Sequence, residues 1–142
     1  MKIYIPNETT SNSVGANHIN EIISNLVGIE NIELIRNGSW GAFWLEPFIE
    51  VERDGNRVGT CYKDIDLSHL RTIEDFLGDF DSREPFDISE IDFIKKQKRI
   101  VFSRIGLGDP LDINLYKENG GFNSLTKALS LDSQKVIDKI KE

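Results

Sequence analysis

Cys61 is the only thiol in the chain. A cysteine does nucleophilic or redox work as its thiolate, which needs a nearby cation or a helix N-terminus to stabilise it. Cys61 instead falls in a segment that reads as the return strand of a hairpin, so it is expected to be a buried structural cysteine. A single cysteine also excludes an internal disulfide, a Cys-x-x-Cys centre and a cluster or zinc ion held by four thiolates. His18 and His69 lie in separate helical segments and lack a further convergent ligand, so both are read as helix-surface residues. The acidic pairs Asp64/Asp66 and Asp79/Asp81 have the residue types of an acid–base couple, but they sit in loop-like acidic segments where solvation is the expected state. Gly106-Leu107-Gly108 follows an extended segment, as a phosphate loop does. It lacks a third glycine, however, and runs into Asp109-Pro110, whose charge opposes a phosphate. Gly120-Gly121 reads as a helix stop. No Walker lysine, nucleophile elbow or zinc-helix motif occurs. No residue is therefore assigned to catalysis, cofactor binding or metal ligation.

The stretch with functional character is aromatic. Trp40, Phe43 and Trp44, with Arg36 and Glu46 beside them, have the composition of an interface anchor: large rigid rings, an arginine and few aliphatic side chains. The competing reading has the same rings covering one end of a sheet, since Trp44-Leu45-Glu46-Pro47 leads straight into a strand.

The elements that must position this stretch follow from periodicity. Lys2–Pro6 alternates polar and apolar before a proline and predicts a first strand, and the polar run Asn7–Ser13 predicts a loop. Ile19, Ile22, Ile23, Leu26 and Val27 recur at helical spacing, with Ser13 or Asn12 available as a cap and Gly28 just past the end. Ile32, Leu34 and Ile35 predict a second strand that stops at Asn37-Gly38. Phe48–Glu52 alternates, Asp54-Gly55 turns and Val58–Tyr62 returns, so these two strands should be antiparallel neighbours. Leu67, Leu70, Ile73, Phe76 and Leu77 predict a helix over 67–78, with Asp79–Glu84 as an exposed loop. Asp87 and Glu90 match a capping box, flanked by Phe86 and Ile91 as a staple. Lys95, Lys96, Lys98 and Arg99 then crowd the end of that helix, where the dipole favours cations. Arg99–Ile105 reads as extended. Three short helices follow: Asp112 caps the first (Ile113–Asn119), Phe122–Leu129 is the second, and Ser130 or Asp132 caps the last. With three to five apolar residues each, these pieces cannot form a core alone and need something to pack on.

The chain has 142 residues, 24 acidic against 17 basic, and a formal charge of −7. An acidic surface repels phosphate backbones, which argues against a nucleic-acid partner. No apolar run approaches the roughly 20 residues of a membrane span, and Met1–Thr10 lacks the apolar core of a secretory leader, so no membrane insertion and a cytoplasmic location are expected. The order β–α–β, hairpin, helix predicts an α/β thioredoxin-like sandwich, a short mixed sheet flanked by helices, over 1–105. A small helical extension follows over 106–142.

Two stretches resemble a known family. Asp109-Pro110-Leu111-Asp112-Ile113-Asn114-Leu115-Tyr116, then Gly120-Gly121-Phe122, Lys127-Ala128-Leu129-Ser130 and Val136-Ile137-Asp138-Lys139-Ile140-Lys141, resemble the segment leading into the flavin domain of the flavoprotein subunit of respiratory complex I. Leu34–Pro47 and Arg99–Arg104 are similar to the N-terminal thioredoxin-like domain of the beta subunit of soluble NAD-dependent formate dehydrogenase. The resemblance implies a non-catalytic assembly domain of an NAD-linked oxidoreductase, docking other subunits of the complex. The parent would carry electrons from formate through molybdenum or tungsten and iron–sulfur centres to FMN and NAD. It further implies that the glycine- and arginine-rich FMN loop begins after Glu142, so that FMN, NAD and an iron–sulfur cluster belong to the parent subunit and none to residues 1–142. Related domains hold a two-iron cluster on four cysteines, which this chain lacks. The alternative is a stand-alone, cluster-less thioredoxin-like protein-interaction module.

Overall fold

The computed structural model describes residues 1–27 and 32–142. Among them, β1 (Lys2–Pro6), β2 (Glu33–Asn37), β3 (Phe48–Arg53) and β4 (Asn56–Cys61) form one mixed sheet in the order β2-β1-β3-β4. β1 and β2 run parallel, while β3 is antiparallel to both β1 and β4. The β3–β4 hairpin closes on Asp54 and Gly55 at φ 52° and 81°. Two successive positive φ values define the primed turn whose twist matches that of paired strands, which is why Asp-Gly signals it.

Strand alternation divides the sheet into two unlike faces. Ile3, Ile5, Ile49 and Val51 point to one, where they pack with Ile19 and Ile23 of α2 (Ala16–Val27) and with Ile73, Phe76 and Phe80 of α3 (Ile73–Ser82). Their neighbours along the strands, Tyr4, Phe48 and Glu50, point to the other, where Phe48 joins Ala42 and Ile88 in a second cluster edged by Trp40, Leu45, Ile91 and Ile94. That second face carries the candidate site.

The structure corrects several local expectations. Asn7–Ser13 is not a loop throughout. Glu8 accepts hydrogen bonds from the N–H groups of Thr10 (2.9 Å) and Ser11 (2.7 Å), and so starts a short helix α1 (Thr9–Ser13). Gly15, at φ 110°, separates α1 from α2. The expected cap Gly28 lies outside the described residues. The helix expected over 67–78 begins only at Ile73, because Thr72 and Asp75 form the capping box there. Leu67 and Leu70 keep the spacing by packing into the same core from a turn, and His69 is an exposed residue of that turn. The helix then runs on to Ser82, through four of the six residues of the expected loop. Asp87 caps only a three-residue 3-10 turn (Ile88–Glu90), and Glu90 pairs with Lys95 rather than completing a box. Ile91 is extended, and α4 (Asp92–Lys95) follows. Arg99–Ile105 is not extended but turns on itself.

α3 is tied to the sheet by Asp79, which accepts from Arg83 Nε and Nη2 (both 2.8 Å) and from the Tyr62 hydroxyl (3.0 Å). The Arg83 hydrogen bonds hold the Asp79 carboxyl below its usual range, outweighing partial burial. Its contribution is therefore present above the ordinary value of 3.8 and lost as the pH falls through the depressed folded value. Asp79→Asn is expected to lower stability at neutral pH by about 1–2 kcal/mol. Urea melts at descending pH should show a shallower acid decline in the variant; parallel declines would refute the assignment.

The chain divides into two compact units, Met1–Asp109 and Pro110–Glu142. In the second, Asp112 caps α5 (Ile113–Glu118) through the N–H groups of Asn114 (2.8 Å) and Leu115 (3.3 Å). Gly120 at φ 80° stops the helix. A side chain on Gly121 would lie 2.2 Å from the Tyr116 ring, so the second glycine lets that ring meet Phe122 edge-on at 4.9 Å. α6 (Asn123–Leu129) and α7 (Ser133–Lys141) follow, the latter capped by Asp132. Leu129 and Ile140 remain 78% and 82% exposed, so the unit does not bury its own apolar stripe. Among the described residues no helix is long and apolar enough to cross a membrane.

Candidate functional site

The segment 38–47 leaves β2 at Asn37, bends at Gly41 (φ 82°), forms a 3-10 turn at Phe43–Leu45 and enters β3 through a cis Glu46–Pro47 peptide. This path sends its three rings in different directions. Trp40 turns inward, and its Nε1–H donates to Glu50 Oε2 at 2.9 Å. The Arg57 and Arg99 guanidinium groups lie 5.6 and 5.7 Å from the Trp40 ring centroid, within cation–π range. A Cβ on Gly106 would fall 2.4 Å from the same ring, and at φ 77° that position already favours glycine. Phe43 and Trp44 turn outward and stay 57% and 58% exposed. Trp44 is held edge-on to Phe93 of α4 at 5.0 Å.

Between these segments lies a groove of about 440 Å³, lined by Trp40, Phe43, Phe93, Phe102 and Ile105, with Arg99 on its wall. Arg99 Nη2 donates to the Trp40 carbonyl at 2.7 Å and so ties residues 99–106 to the aromatic segment.

Buried charge supports the groove from beneath. Burial pushes the Glu50 carboxyl above its ordinary range, while Arg57, bonded to it at 2.6 Å, pulls it back down. Glu46 is only 3% exposed. Its oxygens accept from the Ser39 hydroxyl, the Ser11 hydroxyl (2.7 Å) and the Phe48 N–H (3.1 Å). The Ser11 hydroxyl also lies 2.6 Å from Glu8, so one hydroxyl sits between two buried or half-buried carboxyl groups. Burial pushes the Glu8 carboxyl up, but hydrogen bonds from Ser11 and Thr10 outweigh it and leave the group below its usual range.

Of the residues singled out in the sequence, Trp40 and Phe43 line the groove, and Trp44 stands beside it against Phe93. Glu46 does not reach the surface; it pins the aromatic segment to α1. Arg36 lies among oxygen acceptors from Pro6, Asn7, Asn12 and Asn17, at 2.7 to 3.3 Å. Cys61 ends β4 opposite Phe48 and is half-buried rather than buried. One thiol cannot supply the four that a cluster held by four cysteines needs, and among the described residues no group of three His, Cys, Asp or Glu is suited to a metal. Sequence reasoning missed Phe93, Arg99, Phe102 and Ile105 as groove residues. The available signal was Ile100-Val101-Phe102 directly after a cationic run, an apolar triplet whose Val101 is 85% exposed. Scanned against protein-family models and curated proteins, the chain matches neither.

Proposed function

We propose that this chain is a non-catalytic docking domain of the flavoprotein subunit of an NAD-linked oxidoreductase, and that the aromatic groove is its docking surface. The observation that carries the docking reading is the pair of rings, Phe43 and Trp44, held more than half exposed beside a mostly apolar groove. Exposed apolar surface of this kind costs solubility unless a partner covers it. Large rings with few rotatable bonds are also the side chains that carry interface energy at low entropic cost. The strand order, the helix-bearing connection between parallel β1 and β2, and α2 and α3 on one face support the thioredoxin-like reading. The flavoprotein assignment rests on the resemblance of 32–52 and 99–142. That reading places FMN, NAD and the iron–sulfur cluster outside residues 1–142.

Affinity capture from the native cytoplasm, with the full chain as bait, tests both parts. Partners that carry flavin or iron–sulfur absorbance and NADH–dye reductase activity are expected. Trp44→Ala should weaken their capture by about 2 kcal/mol, roughly thirtyfold, with little change in melting temperature. An equal loss of folding stability would make Trp44 a core residue and end the docking reading. Specific, Trp44-dependent partners without redox cofactors would end the oxidoreductase assignment and favour the stand-alone module.

A further inference from the structure

The groove is mostly apolar, and Arg99 is the one cation among its lining residues. Arg99 Nε donates to Gln97 Oε1 at 3.0 Å and Nη2 to the Trp40 carbonyl, but Nη1 is buried and has no acceptor. Arg99 makes no ion pair among the described residues. Arg99 lines the groove without a carboxylate partner of its own, and a carboxylate is the acceptor whose planar geometry matches a guanidinium. The chain segment that carries Arg99 is basic. Residues 95–104 contain Lys95, Lys96, Lys98, Arg99 and Arg104 and no acid, in a chain of net charge −7. Lys95 and Lys96 are engaged by Glu90 and Asp92, and Lys98 is exposed. Glu8, the one acid lining the groove, has both oxygens occupied by Thr10 and Ser11.

We infer that the groove receives an acidic apolar segment of the partner polypeptide. An aromatic or aliphatic side chain would lie against Trp40, Phe43 and Phe102, and a carboxylate next to it would be taken by Arg99. This inference rests on the docking reading and adds the chemistry of what docks. A cationic spot on an acidic protein steers an acidic partner and disfavours a basic one.

Panning a displayed library of random dodecapeptides against the full chain tests it. Hits would be measured as synthetic peptides through tryptophan emission, since Trp40 lines the groove and Trp44, the other tryptophan, packs on its lining residue Phe93. Enriched peptides are expected to place Asp or Glu within two residues of Phe, Trp or Leu. Arg99→Gln should weaken them about tenfold or more, and converting the peptide's acid to its amide should cause the same loss on the unaltered protein. The amide swap leaves the protein untouched, so it decides the matter even if Arg99→Gln folds poorly. The two changes should not add. Enrichment of neutral or basic apolar peptides, or affinity indifferent to the amide swap, overturns the carboxylate inference while Trp44-dependent docking stands. Absence of any enriched peptide also overturns it, and the capture experiment above then decides the docking reading separately.

Discussion

Arg57→Ala is expected to destabilise the first unit by about 3–5 kcal/mol, the cost of leaving a buried charge without its partner. Glu50 is 2% exposed, and one of its oxygens accepts from Arg57 (2.6 Å), Trp40 (2.9 Å) and Asn37 (3.4 Å). Arg57 also covers the Tyr4 ring at 3.6 Å, so its loss uncovers an aromatic face as well. The deficit should depend on pH with a definite sign. Burial already raises the Glu50 carboxyl, and Arg57 is the largest influence lowering it. Without Arg57 the folded value rises further. A carboxyl raised on folding contributes fully below its unfolded value, and that contribution is lost as pH rises through the folded one. The penalty should therefore be largest at neutral pH and shrink toward the ordinary glutamate value of 4.5. Denaturant melts across that range would read it. A penalty independent of pH would show that Glu50 is not the group left behind. Replacing Glu50 and Arg57 together by leucine should recover most of the stability, because no charge is then stranded.

Phe76→Ala should cost a comparable amount, about 3–5 kcal/mol, through lost burial and the cavity left behind. Phe76 is fully buried in the middle of an aromatic row, 5.8 Å from the Tyr62 ring and 6.1 Å from that of Phe80. The row lies on the helix-covered face of the sheet, opposite the groove. Below its lowered melting point the variant should thus keep the tryptophan emission of the unaltered chain. Retained stability would mean that the cavity collapses. A shifted emission would mean that the two faces do not act independently.

These two sites differ in how far the sequence reveals them. Phe76 lies on a helical period that can be read directly. The hairpin at Asp54-Gly55 and the caps Asp112 and Asp132 are legible for the same reason: each depends on residues within a few positions of one another. The Glu50–Arg57 pair is only half legible, since register places Glu50 opposite Gly59 but says nothing of Trp40 reaching down to it. Arg99–Ile105 reads as extended because Ile100-Val101-Phe102 has strand composition. The edge of β4 already pairs with Phe86 through Gly59, and Arg99 and Gly106 instead fold that segment around Trp40.

What the sequence determined by itself was therefore local: strand alternation, the hairpin turn, helix periodicity, helix caps and a concentration of rings at 40–44. Tertiary structure decided which of those rings face solvent and which acids are buried. Glu46 reads as a surface carboxylate until Ser11, 35 positions away, supplies a hydroxyl. Arg99 reads as a helix-end cation until Trp40, 59 positions away, supplies a carbonyl. Solvation and burial of charge depend on groups brought together by the whole fold, and neither spacing nor composition encodes which groups those will be.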